Sequence, residues 1–406
     1  MAGPYAGLKV LDLSHVVAGP MCTRLMADLG ADVVHVEQRA GDLLRHMPMM
    51  VDGEDGDLST AFIQYNNGKR SLGLDLKVPE GLELALELAA WADVVVENFR
   101  PGVLARLGLG FDVLRERNPG VVLCSLSTFG QTGPYSHMSG FGLVAEAYSG
   151  LMSLTGEDDG SPMHFGTVLA DMNSAVHALA AIGAALFARA STGEGTHIDI
   201  SAFDTLHAMI DQAHALGAFT GGERSTGKYG RRHGTSVPSG VARTGDGQYV
   251  AYGLSGPVFW SKLLLAMEMT DTLGADPRFQ TSEGRVANAP ALYDVIEEWA
   301  LGFPTADALV DHLTAHGLSG ARVRSIEENL ADPHLVERGA LAPVPFEGHG
   351  DVLLQTAPYR FSGMDVRPGI PAAHVGEHTS EVLREVLGRD EQAVAALFSA
   401  GAVHGR

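Results

Sequence analysis

An aspartate stands at the head of the most apolar stretch of the chain, and a carboxylate so placed can do covalent chemistry. The stretch is GTVLADMNSAVHALAAIGAALFARA, residues 166–190, and the aspartate is Asp171. The run after it is rich in Ala, Leu and Ile and carries Gly183 but no proline, which predicts a helix whose small side chains let neighbours pack close. Asp171 then lies at or just before a helix N-terminus. Free N–H groups and the helix dipole favour an ionised carboxylate there, and an ionised carboxylate is a nucleophile. A plain helix cap reads the same way from composition alone, so the surrounding residues decide.

The elements that must position Asp171 come first in the chain. Residues 8–14, 31–37, 92–99 and 121–130 read as strands, with 69–76 as a short extended piece. Between them residues 21–30, 81–92 and 104–118 read as helices. Strands alternating with helices predict an α/β fold with a mostly parallel sheet. Ligands gather at the carboxyl ends of such strands. Those ends carry His15-Val16-Val17-Ala18-Gly19-Pro20, Glu37-Gln38-Arg39, Glu97-Asn98-Phe99-Arg100-Pro101 and Thr128-Phe129-Gly130-Gln131. No first βα turn spells GxGxxG, so a nicotinamide or flavin cofactor is not expected. Gly222 to Lys228 spells GxxxxGK, but Tyr229 stands where the magnesium-binding Ser or Thr of a phosphate loop belongs.

Composition narrows the partners. Lys and Arg total 28 against 49 Asp and Glu, a net charge of −21 over 406 residues. A surface so acidic repels nucleic acid and anionic lipid. The longest apolar run, residues 178–188, is too short to span a bilayer, so no membrane partner is expected. A phosphate-bearing ligand needs a local basic pocket. The 17 histidines fall in no metal-ligand spacing, so no metal is expected. The two cysteines, Cys22 and Cys124, make no disulfide framework. With an N-terminus lacking the regions of a signal peptide, they predict a cytoplasmic protein.

Beyond Asp171, residues 196–204 read as a strand and 205–219 as a helix. The Gly-, Ser- and Arg-rich residues 223–238 look like a crossing into a second domain. That domain opens with a hairpin turning at Asp246-Gly247 and continues with helices in 260–269, 291–303 and 305–318. From about residue 331 the chain is loop-rich, with a strand in 351–361, a helix in 380–388 and a short helical tail.

Together these residues resemble the class III CoA-transferases, the family of formyl-CoA transferase and carnitine CoA-transferase, to which alpha-methylacyl-CoA racemases are related. The segments carrying the resemblance are LKVLDLSHVVAGP, LMADLGADVVHVE, NNGKRSLGLDLK, ADVVVENFRPGVLARLGLG, LSTFGQTGPY, LADMNS, TGEGTHIDISAFD, KYGRRHGTSVP and VGEHTSEVL. Their order and spacing run nearly end to end. The resemblance implies a Rossmann-like large domain plus a smaller α+β domain, in a homodimer of interlocked rings. Residues 1–223 would form the large domain, 224–331 the small one, and 332–406 a return to the large one.

The resemblance also implies roles. Asp171 matches the nucleophile that forms aspartyl anhydride and aspartyl-CoA intermediates while CoA moves from an acyl-CoA donor to a carboxylic acid acceptor. Arg39 and Arg106 would bind the phosphates of coenzyme A. Leu72, Gly73, Leu74 and Asp75 would lie along its nucleotide, and Asn98, Phe99 and Arg100 would cradle it. Val17 and Ala18 would face its pantetheine end, with Phe141 beside them. Gly253 and Gly256 match a glycine-rich flap, with two glycines of four.

Three positions depart from the family pattern. Gln38 replaces a CoA-binding arginine, for which Arg39 can substitute. Val17 replaces a glutamine and Gly142 an acidic residue, both arguing against formyl-CoA and oxalate as substrates. Similar racemases carry a His-Asp pair where this chain has Phe141-Gly142, which favours transfer over racemisation. An acyl-CoA racemase or isomerase, or a non-catalytic CoA-thioester binder, are the alternatives. The cluster Arg231, Arg232 and His233 would suit a dicarboxylate acceptor, or a basic linker.

Overall fold

The computed structural model describes residues 2–47, 49–52, 58–224, 226–253, 256–346, 348–366 and 370–405. Its largest sheet has seven strands: β1 (Lys9–Asp12), β2 (Asp32–Glu37), β3 (Arg70–Leu74), β4 (Val94–Glu97), β5 (Val122–Ser127), β6 (Thr196–Ser201) and β7 (Val403–His404). They lie in the order β7-β3-β2-β1-β4-β5-β6. Every neighbouring pair is parallel except β7, which runs antiparallel to β3. Without β7 this is the doubly wound order, which reverses direction between β1 and β4.

The strands are β-branched runs because both faces are covered. On one face Val10, Val33, Val94, Val96 and Cys124 pack on helices Ala18–Asp28 and Leu169–Thr192, through Cys22, Leu25 and Met26 of the first and Ala175, Ala178 and Ile182 of the second. On the other, Leu11, Val34, Leu72, Leu74 and Val95 pack on Leu84, Leu88, Leu104, Leu114 and Val382. Each such side chain contributes roughly 1.5–3 kcal/mol on burial. Both cysteines are free and buried.

Several expected elements have different limits. The helix expected over 104–118 is two, Val103–Arg106 and Phe111–Arg117, because Gly108 between them takes a left-handed φ of +83°. The strand expected over 196–204 stops at Ser201, whose hydroxyl accepts the Asp204 N–H and caps a new helix, Ala202–His207. The rest of the helix expected over 205–219 is Gln212–Phe219. The expected helical tail is Glu391–Ser399, and the chain then adds β7. The Asp171 helix is Leu169–Thr192, 24 residues, long and apolar enough by composition to cross a membrane. That corrects the shorter estimate from the run 178–188. One side of it is core, while Val176 and Phe187 on the other are exposed.

The chain divides into two compact units. The first holds residues 1–149, 165–209 and 331–406, and the second holds 150–164 and 210–330. Residues 150–164 and 210–223, expected in the large domain, thus group with the second unit. In that unit Gly240–Arg243 and Tyr249–Tyr252 form the hairpin around Asp246-Gly247, with Gly320–Arg322 as a third strand. Helices Pro257–Ala266, Ala289–Leu301 and Ala306–Ala315 close its core through Trp260, Leu263, Leu292, Ile296 and Leu309.

Candidate active site

The order reversal between β1 and β4 creates a crevice beyond their carboxyl ends, because the chain leaves these two strands toward opposite faces. The residues following them, 15–18 and 98–101, form its walls. Asn98 ties the walls together. Its Nδ2 donates to the His15 carbonyl at 2.7 Å, and its Oδ1 accepts the His15 N–H at 2.8 Å. Asn98 itself lines the cavity between these walls, and the two bonds take one of its two amide hydrogens. The residue next in line, Val16, has a φ of +67°, a conformation that strains a β-branched side chain by ~1–3 kcal/mol.

Within the crevice lies a cavity of ≈ 220 Å³, lined by Val16, Val17, Ala18, Arg100, Phe141, Gly142 and Asp171 among others. Four helices begin on it: Ala18–Asp28, Gly142–Ser149, Leu169–Thr192 and Ala202–His207. A helix N-terminus presents free N–H groups and a partial positive charge. Helix N-termini of this kind suit carboxylates and developing oxyanions.

Asp171 is the third residue of its helix, with Val168 at the cap position and no side-chain cap. It is therefore not the N-cap. Its carboxyl is pushed up to about 6. Burial is the main cause; its own backbone N–H opposes the shift and nearby Glu146 adds to it. The helix terminus thus does not dominate as expected, because removal from water outweighs it. At neutral pH the group is still mostly ionised, and more basic than an ordinary aspartate. Gly142 makes room for it: a Cβ there would stand 2.6 Å from Asp171 Oδ2. No acidic side chain fits at this position without moving Asp171.

A second cavity, ≈ 190 Å³, adjoins the first through His15 and Phe99, which line both and meet edge to face at 5.4 Å. Leu74 and Asp75 line it, with Gln38 and Lys77. Leu72 and Gly73 do not. Leu72 is wholly in the core, and Gly73 is glycine because β7 crosses it, a Cβ there falling 2.2 Å from the His404 carbonyl oxygen. Arg39 and Arg106 are exposed and line neither cavity. Arg100 and Lys77 are the cations in the linings, and sequence reasoning missed Lys77 and His15. Both sit in segments already quoted, LGLDLK and LSHVVAGP, three residues past the strand ends Leu74 and Asp12. Among the described residues no metal-ligand cluster forms.

The second unit has its own cavity, lined by Arg231, Arg232, His233, Tyr252 and Gly253. Arg231 pairs with Glu297 at 3.3 Å. Arg232 lies over the Tyr293 ring at 5.3 Å, with no carboxylate partner among the described residues. Gly256 precedes helix Pro257–Ala266 at a φ of +91°. Of the flap expected at 253–256, Leu254 and Ser255 lie outside the described residues.

The sequence pattern of CoA-transferase family III matches residues 5–379. The succinate–glutarate CoA-transferase of Agrobacterium fabrum is 34% identical over 388 residues, covering 94% of this chain and 96% of that protein. The succinyl-CoA:mesaconate CoA-transferase of Haloarcula marismortui is 35% identical over 390 residues, covering 94% and 96%. The crystal structure of a CAIB/BAIF family protein from Brucella suis superposes with a TM-score of 0.84 at 32% identity, covering 95% of this chain and 100% of that one.

Proposed function

Since the chain belongs to CoA-transferase family III and is a CoA-transferase, we propose that Asp171 carries the exchange covalently and that the acids exchanged are dicarboxylates. The observation that carries this reading is a raised, mostly ionised carboxylate in a hollow on which four helices begin.

The steps balance without a net proton. Asp171 attacks the thioester carbonyl, the C–S bond of the tetrahedral adduct breaks, and CoA leaves as thiolate, giving a mixed anhydride of Asp171 and the donor acid. The thiolate attacks the Asp171 carbonyl carbon, releasing the donor acid and leaving an aspartyl-CoA thioester. The acceptor carboxylate attacks that carbon, forming a second anhydride and freeing the thiolate again. The thiolate takes the acceptor's acyl carbon, and Asp171 is restored. Each tetrahedral oxyanion requires backbone N–H donors, for which Val17, Ala18 and Gly142, at helix starts that line the cavity, are the candidates. The second cavity, with Leu74, Asp75 and Lys77, suits the nucleotide end of coenzyme A.

Two observations support dicarboxylates. Relatives are named for succinate, glutarate and mesaconate, and the chain is 34–35% identical to them over 94% of its length. The exposed apolar side of helix Leu169–Thr192 supports a homodimer. Against racemisation stands Gly142, which leaves Asp171 no side-chain partner at that position.

A panel of acyl-CoA donors against mono- and dicarboxylic acids tests the reading. Exchange is expected with at least one dicarboxylate. Exchange with monocarboxylic acids alone refutes the dicarboxylate reading. Gly142→Ala provides a separate check. The added methyl displaces Asp171 Oδ2, so kcat should fall by roughly 10²-fold with little change in the thermal midpoint.

A further inference from the structure

The connection from β1 to helix Ala18–Asp28 is held in a shape its own residues disfavour, and the group holding it comes from elsewhere. The Val16 N–H donates to Asp42 Oδ2 at 2.9 Å. Asp42 lies beyond β2 and is 2% exposed. Its Oδ1 accepts the Leu44 N–H at 2.7 Å, capping the short turn Leu43–His46. Its own N–H donates to Glu37 Oε2 at 3.1 Å. Glu37 is in turn gripped by Arg45, whose Nε and Nη2 donate to its two oxygens at 2.7 Å each. The Asp42 carboxylate is thus fixed by its own loop before it reaches Val16. It lines neither cavity of the first unit. His15, whose Nδ1 is 3.7 Å from Asp42 Oδ2, is the other group it faces.

We propose that Asp42 is a positioning residue: by holding Val16 at positive φ, it aims the N–H groups of Val17 and Ala18 into the cavity that contains Asp171. This rests on the reading of that cavity as the site of exchange. Asp42 touches no reacting atom. Without its acceptor, a β-branched residue returns to negative φ, and the two N–H groups that follow turn with it. The Asn98 clasp on His15 still keeps the crevice walls together, so the fold survives while the donors lose their aim.

The test is a double-mutant cycle with Val16→Gly, because glycine takes positive φ unaided. Asp42→Ala in the wild-type background is expected to lower kcat by roughly 10–100-fold, with KM for donor and acceptor changed less than about threefold. In the Val16→Gly background the same substitution should change kcat by less than about threefold. Equal losses in both backgrounds overturn the proposal, since a general structural role would not be relieved by glycine at position 16. So does an undiminished kcat for Asp42→Ala. Asp42→Asn, which keeps one acceptor oxygen, serves where the alanine variant fails to fold. Amide hydrogen exchange over residues 15–18 is followed in the same proteins. It should speed up in Asp42→Ala, and unchanged protection there overturns the proposal even if the wild type exchanges no CoA, an outcome that would separately defeat the functional reading.

Discussion

Asp171→Ala is expected to lower CoA exchange by on the order of 10³-fold or more, because removal of a covalent nucleophile takes away the pathway rather than one contact. The variant should still bind the donor, since the walls and the adjoining cavity are built by other residues. Mass spectrometry of the wild type mixed with donor alone should show an enzyme-bound acyl or CoA adduct, absent from the variant. Undiminished exchange in Asp171→Ala would remove the mechanism. The pH dependence follows from the same group. Its carboxyl is raised to about 6, chiefly by burial, and only the carboxylate attacks. The rate should therefore fall about tenfold per pH unit below that value and level off above it. The effect on stability has the opposite sense. A carboxyl raised in the folded state stabilises the fold at pH below its unfolded value, and this contribution is lost as the pH rises through about 6. Asp171→Asn should then raise the thermal midpoint at pH 8 and bring no gain at pH 4.

Lys69→Ala is expected to destabilise the protein by ~3–5 kcal/mol, the range for breaking a buried ion pair from one side. Lys69 is 2% exposed, and its ammonium donates to Asp12 Oδ2 at 3.0 Å, the Pro20 carbonyl at 2.9 Å and Asn66 Oδ1 at 2.7 Å. All three of its protons are used. Asp12, fully buried at the end of β1, also accepts from Ser14, Thr23 and His35. Burial alone would raise its carboxyl, yet the charge of Lys69 and the donors around it hold it well below the usual range. The stability this gives is present above the unfolded value and is lost as the pH falls through the folded one. Removing the ammonium leaves a buried carboxylate with neutral donors and His35. Urea unfolding at pH 7 should show the full deficit, and the deficit should narrow toward pH 4 as Asp12 takes up a proton. Asp12→Asn in the Lys69→Ala background should recover part of it, since the two residues are coupled. An unchanged midpoint for Lys69→Ala would mean the pair contributes nothing. The network matters for the site because Asp12 holds Thr23 of the helix whose N-terminus opens on the cavity.

Much of this arrangement is written locally. Runs such as VVLCSLS and ADVVVEN identify parallel strands, because a strand covered on both faces must be apolar throughout. Their ends identify the crevice, since a parallel sheet brings them all to one side. Asp171 is legible for the same reason: an apolar helix preceded by Gly-Thr-Val-Leu-Ala must begin near it. The family resemblance adds the chemistry to a carboxylate that composition leaves open.

Other features depend on residues far apart in the chain, and no local pattern carries them. Gly73 looks like a ligand-facing glycine and is one that lets β7 cross from the far C-terminus. Asn98 looks like a ligand donor and gives one of its two amide hydrogens to His15. Arg39 and Arg106 have the right chemistry and point to solvent. The upward shift at Asp171 is the sum of desolvation by many neighbours, whereas the helix terminus that opposes it is visible in sequence. By itself the sequence determined which strands form, where their ends gather and that a carboxylate stands near the start of the apolar helix, because period and turn chemistry are short-range. Only the tertiary structure decided how far burial raises that carboxyl and what holds Val16 in place, because burial and approach are set by segments that meet only in the folded chain.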